Sequence, residues 1–190
     1  MRITELFDNG EFVVSAEVGP PKGIHIDGMV EEAKEYLSGV HFVNVTDNQS
    51  SVMRLGSLAT CKVLKDAGLN PIFQLTCRDR NRIALQSDLL SAAMLGIDNI
   101  LCLTGDHTKL GDHPQAKPVF DLDSVSLLHA ASVLESGKDL NGEVTVPTAL
   151  TQEFRDIQNA NGTTMGLRIG ETVRRIDLLN AMLIVSANDA

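Results

Sequence analysis

Positive charge is in short supply in this sequence. Sixteen Lys and Arg stand against 25 Asp and Glu, a formal net charge of −9. A nucleic-acid binder or an anionic-membrane binder wants the opposite balance, so neither is an expected partner. An anionic small ligand held by a local patch remains compatible. Aromatics are sparse, with no Trp and one Tyr. The three cysteines, Cys61, Cys77 and Cys102, are odd in number and widely spaced, and no CxxC occurs. They read as buried reduced thiols of a cytoplasmic protein. Long apolar runs are missing too: none approaches the ~18 residues of a membrane span, and the charged N-terminus is too short for a signal peptide. No GxGxxG or GxxxxGK[ST] follows an apolar run, which argues against a Rossmann or P-loop protein. The 190 residues suffice for one domain with a real core.

What is present is a repeated pattern. Phe12-Val13-Val14-Ser15-Ala16-Glu17-Val18 is apolar and β-branched, carries one carboxylate, and stops at Gly19-Pro20-Pro21. Gly and Pro cannot continue a ladder, so Glu17 falls near the C-terminal end of a strand. Three later runs also end polar: Phe42 to Thr46, Ile72 to Thr76, and Ile100 to Leu103, the last followed by Thr104-Gly105-Asp106. If the strands are parallel, Glu17, Thr46, Gln74 and Asp106 share one rim.

Helical patterns separate these runs. After a short lead-in helix over Ile3 to Phe7, the spacing predicts helices from Asp27 to about Leu37, through Leu55 to Leu64, through Ile83 to Met94, and from about Asp123 to Leu134. Four β-loop-α units predict a parallel sheet with right-handed crossovers, covered on both faces or closed into a barrel. Either architecture places its site at the C-terminal strand ends. The missing nucleotide motifs favour the (β/α)8 barrel. Past Gly142 the rhythm breaks. Glu143 to Pro147 reads as a short strand and Thr151 to Gln158 as a short helix. Ile169, Val173, Ile176, Leu179 and Leu183 then predict a long amphipathic helix from Gly170 to Ser186. The expected organisation is therefore 1–142 as β/α units and 143–190 as a divergent tail.

Several residues can carry chemistry. Glu17, flanked by Ala16 and Val18, is a proton donor if desolvation favours its neutral form. Otherwise it faces water at the strand end or pairs with Lys22. Asp106 either caps the following segment or anchors a heterocycle at the rim. Thr46 and Gln74 are hydrogen-bonding groups at equivalent heights. Arg78, Arg80 and Arg82 form either a solvated turn paired with Asp79 or a contact to cofactor phosphates. His107 and His113 match no strong metal-ligand spacing, so no metal is expected.

The runs Val14 to Lys22, Val43-Asn44-Val45-Thr46-Asp47-Asn48-Gln49, Gln74-Leu75-Thr76-Cys77-Arg78-Asp79-Arg80-Asn81-Arg82, Leu103-Thr104-Gly105-Asp106-His107 and Pro118 to Ser124 together resemble methylenetetrahydrofolate reductase. The likeness is greatest to the forms of acetogenic and other anaerobic prokaryotes, and it covers about residues 1–142. It implies a flavin-dependent (β/α)8 barrel that reduces methylenetetrahydrofolate to methyltetrahydrofolate, with FAD at the strand ends and NAD(P)H or another electron donor as co-substrate.

By that resemblance Glu17 matches the general acid that helps open the imidazolidine ring. Asp106 matches the aspartate near flavin and pterin. Thr46, Thr104 and Gly105 match flavin-contacting positions. Gln74 stands where many members carry a flavin-contacting His, and Thr104 where many have Arg. Residues 143–190 match none of the family's later β/α units. The expectation is thus a first half-barrel with an unrelated tail: truncated, fused, chimeric or naturally short. Its alternative role is a non-catalytic module. Its open side is expected to be covered by the tail helix, by a second copy in a homo-oligomer, or by a partner subunit.

Overall fold

The computed structural model describes residues 1–135, 143–145, 168 and 170–174. Two compact units emerge, Met1–Ser124 and Val125–Ala190.

In the first unit, α1 (Ile3–Asp8) leads to four strands: β1 (Ser15–Val18), β2 (Phe42–Val45), β3 (Pro71–Thr76) and β4 (Asn99–Leu103). They form one parallel sheet in the order β1-β2-β3-β4. Ser15 aligns with Phe42, Val43 with Pro71, and Ile72 with Asn99. Helices α2 (Asp27–Tyr36), α3 (Ser57–Asp66) and α4 (Arg82–Met94) separate the strands; α5 (Ser124–Glu135), next in the chain, belongs to the second unit apart from Ser124. All four C-terminal strand ends therefore emerge on one rim, as the polar run-ends predict.

The core follows from strand position. Every residue of β3 is buried, and Phe42, Val43 and Val45 of β2 are buried with it. Each fully buried large side chain contributes on the order of 1.5–3 kcal/mol. The edge strands are more open. Glu17 in β1 is exposed, and Leu101 in β4 keeps 41% of its surface. α3 lies against β3 and buries Ser57, Thr60, Cys61 and Leu64, a stripe at helical spacing. α4 starts where the Asn81 side chain accepts from Ala84 N at 3.0 Å, and it buries Leu85, Leu89 and Ala92.

Element boundaries differ from the pattern in instructive places. β1 begins at Ser15 rather than Phe12, because Phe12 is almost fully exposed and the sheet pairing starts opposite Phe42. Of Met29, Val30, Ala33 and Leu37, which helical spacing puts on one face of α2, only Ala33 is buried.

In the second unit, β5 (Glu143–Thr145) pairs antiparallel with β6 (Thr172–Arg174), Val144 opposite Val173. Thr145 and Thr172 share a 2.9 Å hydroxyl hydrogen bond. The strand expected from Glu143 is present, but the helix expected to start at Gly170 is not. Gly170 adopts φ +82°, which a helix start does not accommodate, and β-branched Thr172 and Val173 take an extended pairing. The remainder of that helix, residues 175–186, lies outside the described residues. So do the short helix expected over Thr151–Gln158 and the tail's role as a cover.

Candidate functional site

Glu17 is the penultimate residue of β1, next to the rim. Its carboxylate accepts from Gln74 Nε2 at 3.3 Å and from Gln49 Nε2 at 3.5 Å. Gln74 belongs to β3 and is buried, so its amide rises from the core to meet an exposed carboxylate. Gln49 comes from the turn after β2. The desolvated Glu17 suggested by its apolar neighbours is not found, because its edge strand has a single partner among the described residues. Pairing with Lys22 is not found either: Lys22 Nζ bonds Asp112 at 3.1 Å.

Thr46 follows β2 directly and is 2% exposed. Its Oγ1 is buried without a hydrogen-bond partner, 3.8 Å from where a β-carbon on Gly19 would stand. A buried hydroxyl left unpaired is costly and marks a place where another group is wanted.

Beneath these groups lies a charged network that the sequence pattern did not assign to the site. Asp47 is buried. It accepts from Thr76 N at 3.0 Å and from both terminal guanidinium nitrogens of Arg80, at 2.6 and 3.2 Å. Arg80 also reaches Asp88 at 2.9 Å. Burial opposes the charge of Arg80, but Asp47 and then Asp88 and Asp79 outweigh it and raise its pKa. Arg78 is 2% exposed. Its fork clasps Asp79 at 2.8 and 2.7 Å and donates to the carbonyls of Asn48 at 3.1 Å and Asp106 at 3.2 Å. Burial pushes the Asp79 carboxyl up, yet the hydrogen bond and charge of Arg78, with Arg80, hold it below the usual range. Arg82 pairs with Asp121, which its hydrogen bonds hold down to about 2. All three arginines thus have carboxylate partners inside the protein. The reading of this cluster as a phosphate contact gains no support, and Arg78 is buried rather than solvated.

The loop after β4 completes the rim. Gly105 has φ +94°, and a β-carbon there would intrude on Thr76 Cγ2 and stand 3.2 Å from Arg78 Cβ. Asp106 is exposed and held through its backbone, with no hydrogen bond to Glu17 or Gln74. Thr104 Oγ1 accepts from Ser124 N at 3.0 Å. His107 Nδ1 accepts from Lys109 N, and His113 Nδ1 bonds Asp112. Among the described residues, no group of three or more His, Cys, Asp or Glu side chains is arranged to hold a metal. No helix among them is long and apolar enough to cross a membrane.

The family model described as methylenetetrahydrofolate reductase matches residues 2–138. The chain belongs to the methylenetetrahydrofolate reductase family. No curated protein matches it. Membership makes its four parallel strands and intervening helices a partial (β/α) barrel and gives it, in general terms, a methylenetetrahydrofolate reductase-like function.

The family typically binds FAD. The orphaned Thr46 hydroxyl, the Gln74 amide, and the exposed Glu17 and Asp106 offer donors and acceptors of the kind a flavin or pterin ring edge requires. These residues fit the ring part of the group. The Arg78–Arg82 cluster, already paired, adds nothing for its phosphates.

Of the residues singled out from sequence, the structure joins Glu17 to Gln74 by a hydrogen bond, buries Thr46, and places Thr104, Gly105 and Asp106 on the neighbouring loop. Gln49, Asp47 and the buried state of Arg78 were not recognised. The only available signal was the polar run Asp47-Asn48-Gln49 following an apolar strand.

Proposed function

We propose that this chain provides the first half of a reductase barrel that converts 5,10-methylenetetrahydrofolate to 5-methyltetrahydrofolate, with FAD bound and NAD(P)H or another donor supplying electrons. The observation supporting this most is the Glu17 carboxylate, exposed on the rim and met by the amides of Gln74 and Gln49.

Glu17 delivers a proton to the ring nitrogen of the substrate, opening the imidazolidine to an iminium. FAD supplies hydride chemistry when bound. Amide partners suit a residue that cycles its proton: an amide donates N–H to the carboxylate and, turned over, accepts from the carboxylic acid through its carbonyl. Thr46 and Gln74, with the Thr104–Gly105 backbone, would hold the flavin ring, and Asp106 would contribute a carboxylate to the flavin and pterin side of the rim.

The test is reconstitution with FAD, followed by absorbance and by menadione reduction coupled to methyltetrahydrofolate. A flavin spectrum with folate-dependent turnover supports the proposal; a colourless protein that takes up no FAD overturns it.

One observation favours a second reading, a non-catalytic module closed by another chain. β1 and β4 each have a single strand partner among the described residues, and such edges invite pairing. Mass in solution separates the two: a flavin-free homo-oligomer favours the module.

A further inference from the structure

We propose that Arg78 is a positioning residue that locks the loops after β2 and β4 together, so that Gln49 meets Glu17 while Asp106 is presented on the same rim. The loop contacts follow from the structure alone; the consequence for turnover rests on the reductase reading above.

The loop after β2 closes on itself through Ser51 N to the Asn48 carbonyl at 2.9 Å and Val52 N to the Gln49 carbonyl at 3.1 Å, but in a strained conformation. Asn48, Ser50 and Ser51 have φ of 46°, 55° and 61°, a left-handed stretch without glycine. Non-glycine residues in that region cost free energy and persist only where the surroundings over-determine them. Here the surroundings are specific. The Asn48 carbonyl accepts from Arg78 at 3.1 Å, and the Asn48 side chain accepts from Arg54 N at 3.0 Å. Gln49, next in sequence, is the residue whose amide reaches Glu17.

The loop after β4 is held from the same guanidinium. Asp106 O accepts from Arg78 at 3.2 Å, Arg78 N donates to Thr104 O at 3.1 Å, and Val119 N donates to Arg78 O at 2.7 Å. Gly105 permits this approach, because any side chain would collide with Thr76 and crowd Arg78. Asp79 fixes the guanidinium through Nε and Nη2, at 2.8 and 2.7 Å. One buried fork thus sets two loops that carry different parts of the site. A lysine keeps the charge but not the fork, so it cannot serve both carbonyls and Asp79 at once.

The experiment is hydrogen exchange on the full chain, comparing wild type with Arg78→Lys and the milder Asp79→Asn. A charge-assisted hydrogen bond is worth enough that its loss speeds local exchange about tenfold or more. The expected result is faster exchange over 47–53 and 104–111 together, with β2 and β3 unchanged. Acceleration in one loop alone, in neither, or throughout the sheet in both variants overturns the lock.

The turnover arm then uses FAD and methylenetetrahydrofolate. Arg78→Lys should lower kcat for folate reduction tenfold or more, and by a larger factor than it lowers NAD(P)H oxidation by menadione. Loosened loops with unchanged kcat overturn the positioning role. If wild type neither binds FAD nor turns over, the reductase reading fails, and the lock stands or falls on the exchange result.

Discussion

Gln74 Nε2 donates to Glu17 Oε2 at 3.3 Å, joining the third strand to the first above the intervening second. The contact links a buried amide to an exposed carboxylate, so the position of the rim carboxylate is tied to a group anchored in the core. Glu17→Gln preserves shape and volume. Folding and FAD uptake should be unchanged, folate reduction should fall by about 10²–10⁴-fold, and NAD(P)H oxidation should be spared. Stopped-flow measurement of the two half-reactions checks this; equal loss in both would make Glu17 a structural residue.

Arg80 sits between two carboxylates of different burial, and the two should differ in energetic weight. The Asp47 side chain is fully buried, whereas that of Asp88 is 31% exposed. Removing the buried partner by Asp47→Asn should destabilise the protein by roughly 3 kcal/mol. Asp88→Asn should cost about 1 kcal/mol or less. Urea midpoints with unchanged slope provide the comparison, and similar losses in both variants would refute the distinction.

Gly105→Ala places a methyl group against Thr76 and Arg78 at φ +94°. A cost of about 1–3 kcal/mol is expected from the backbone conformation alone. Thermal denaturation measures it. A melting temperature equal to wild type would mean that the loop moves freely off the rim.

The cysteines should be unreactive in the folded protein. Burial pushes the Cys61 thiol up to about 12, with Asp47 adding to it. Burial, then Cys102 and Asp123, pushes Cys77 to about 12, and burial raises Cys102 to about 11. At pH 8 a thiol-disulfide reagent should titrate all three only after unfolding. Reaction of Cys61 or Cys77 at a free-thiol rate in native protein contradicts this.

Acid should weaken the fold through its paired carboxylates. The folded pKa of Asp121, about 2, lies below the ~3.9 of a free aspartate, so its contribution is present above the unfolded value and lost as pH falls towards 2. Asp79 shifts in the same direction. Urea midpoints between pH 5 and 2 should fall less steeply in Asp121→Asn than in wild type, though the variant starts from a lower midpoint at neutral pH. An identical slope in the two proteins would rule out this linkage.

The local order of the chain was set by sequence. Apolar runs ending at Val18, Val45, Thr76 and Leu103, separated by helical stripes, fix the alternation and place the polar run-ends on one rim, because strand and helix periodicity are short-range properties. The motif runs likewise carried the family. Periodicity failed at Gly170: an amphipathic stripe says which side chains share a face, not whether an antiparallel partner such as Glu143–Thr145 will claim them. Only the tertiary structure decided that Glu17 lies on a strand with one partner among the described residues, that Gln49 and Gln74 meet it, and that Arg78 is buried between two loops. Those contacts join residues about 30 to 60 positions apart, and their free energy depends on burial and geometry that no local pattern encodes.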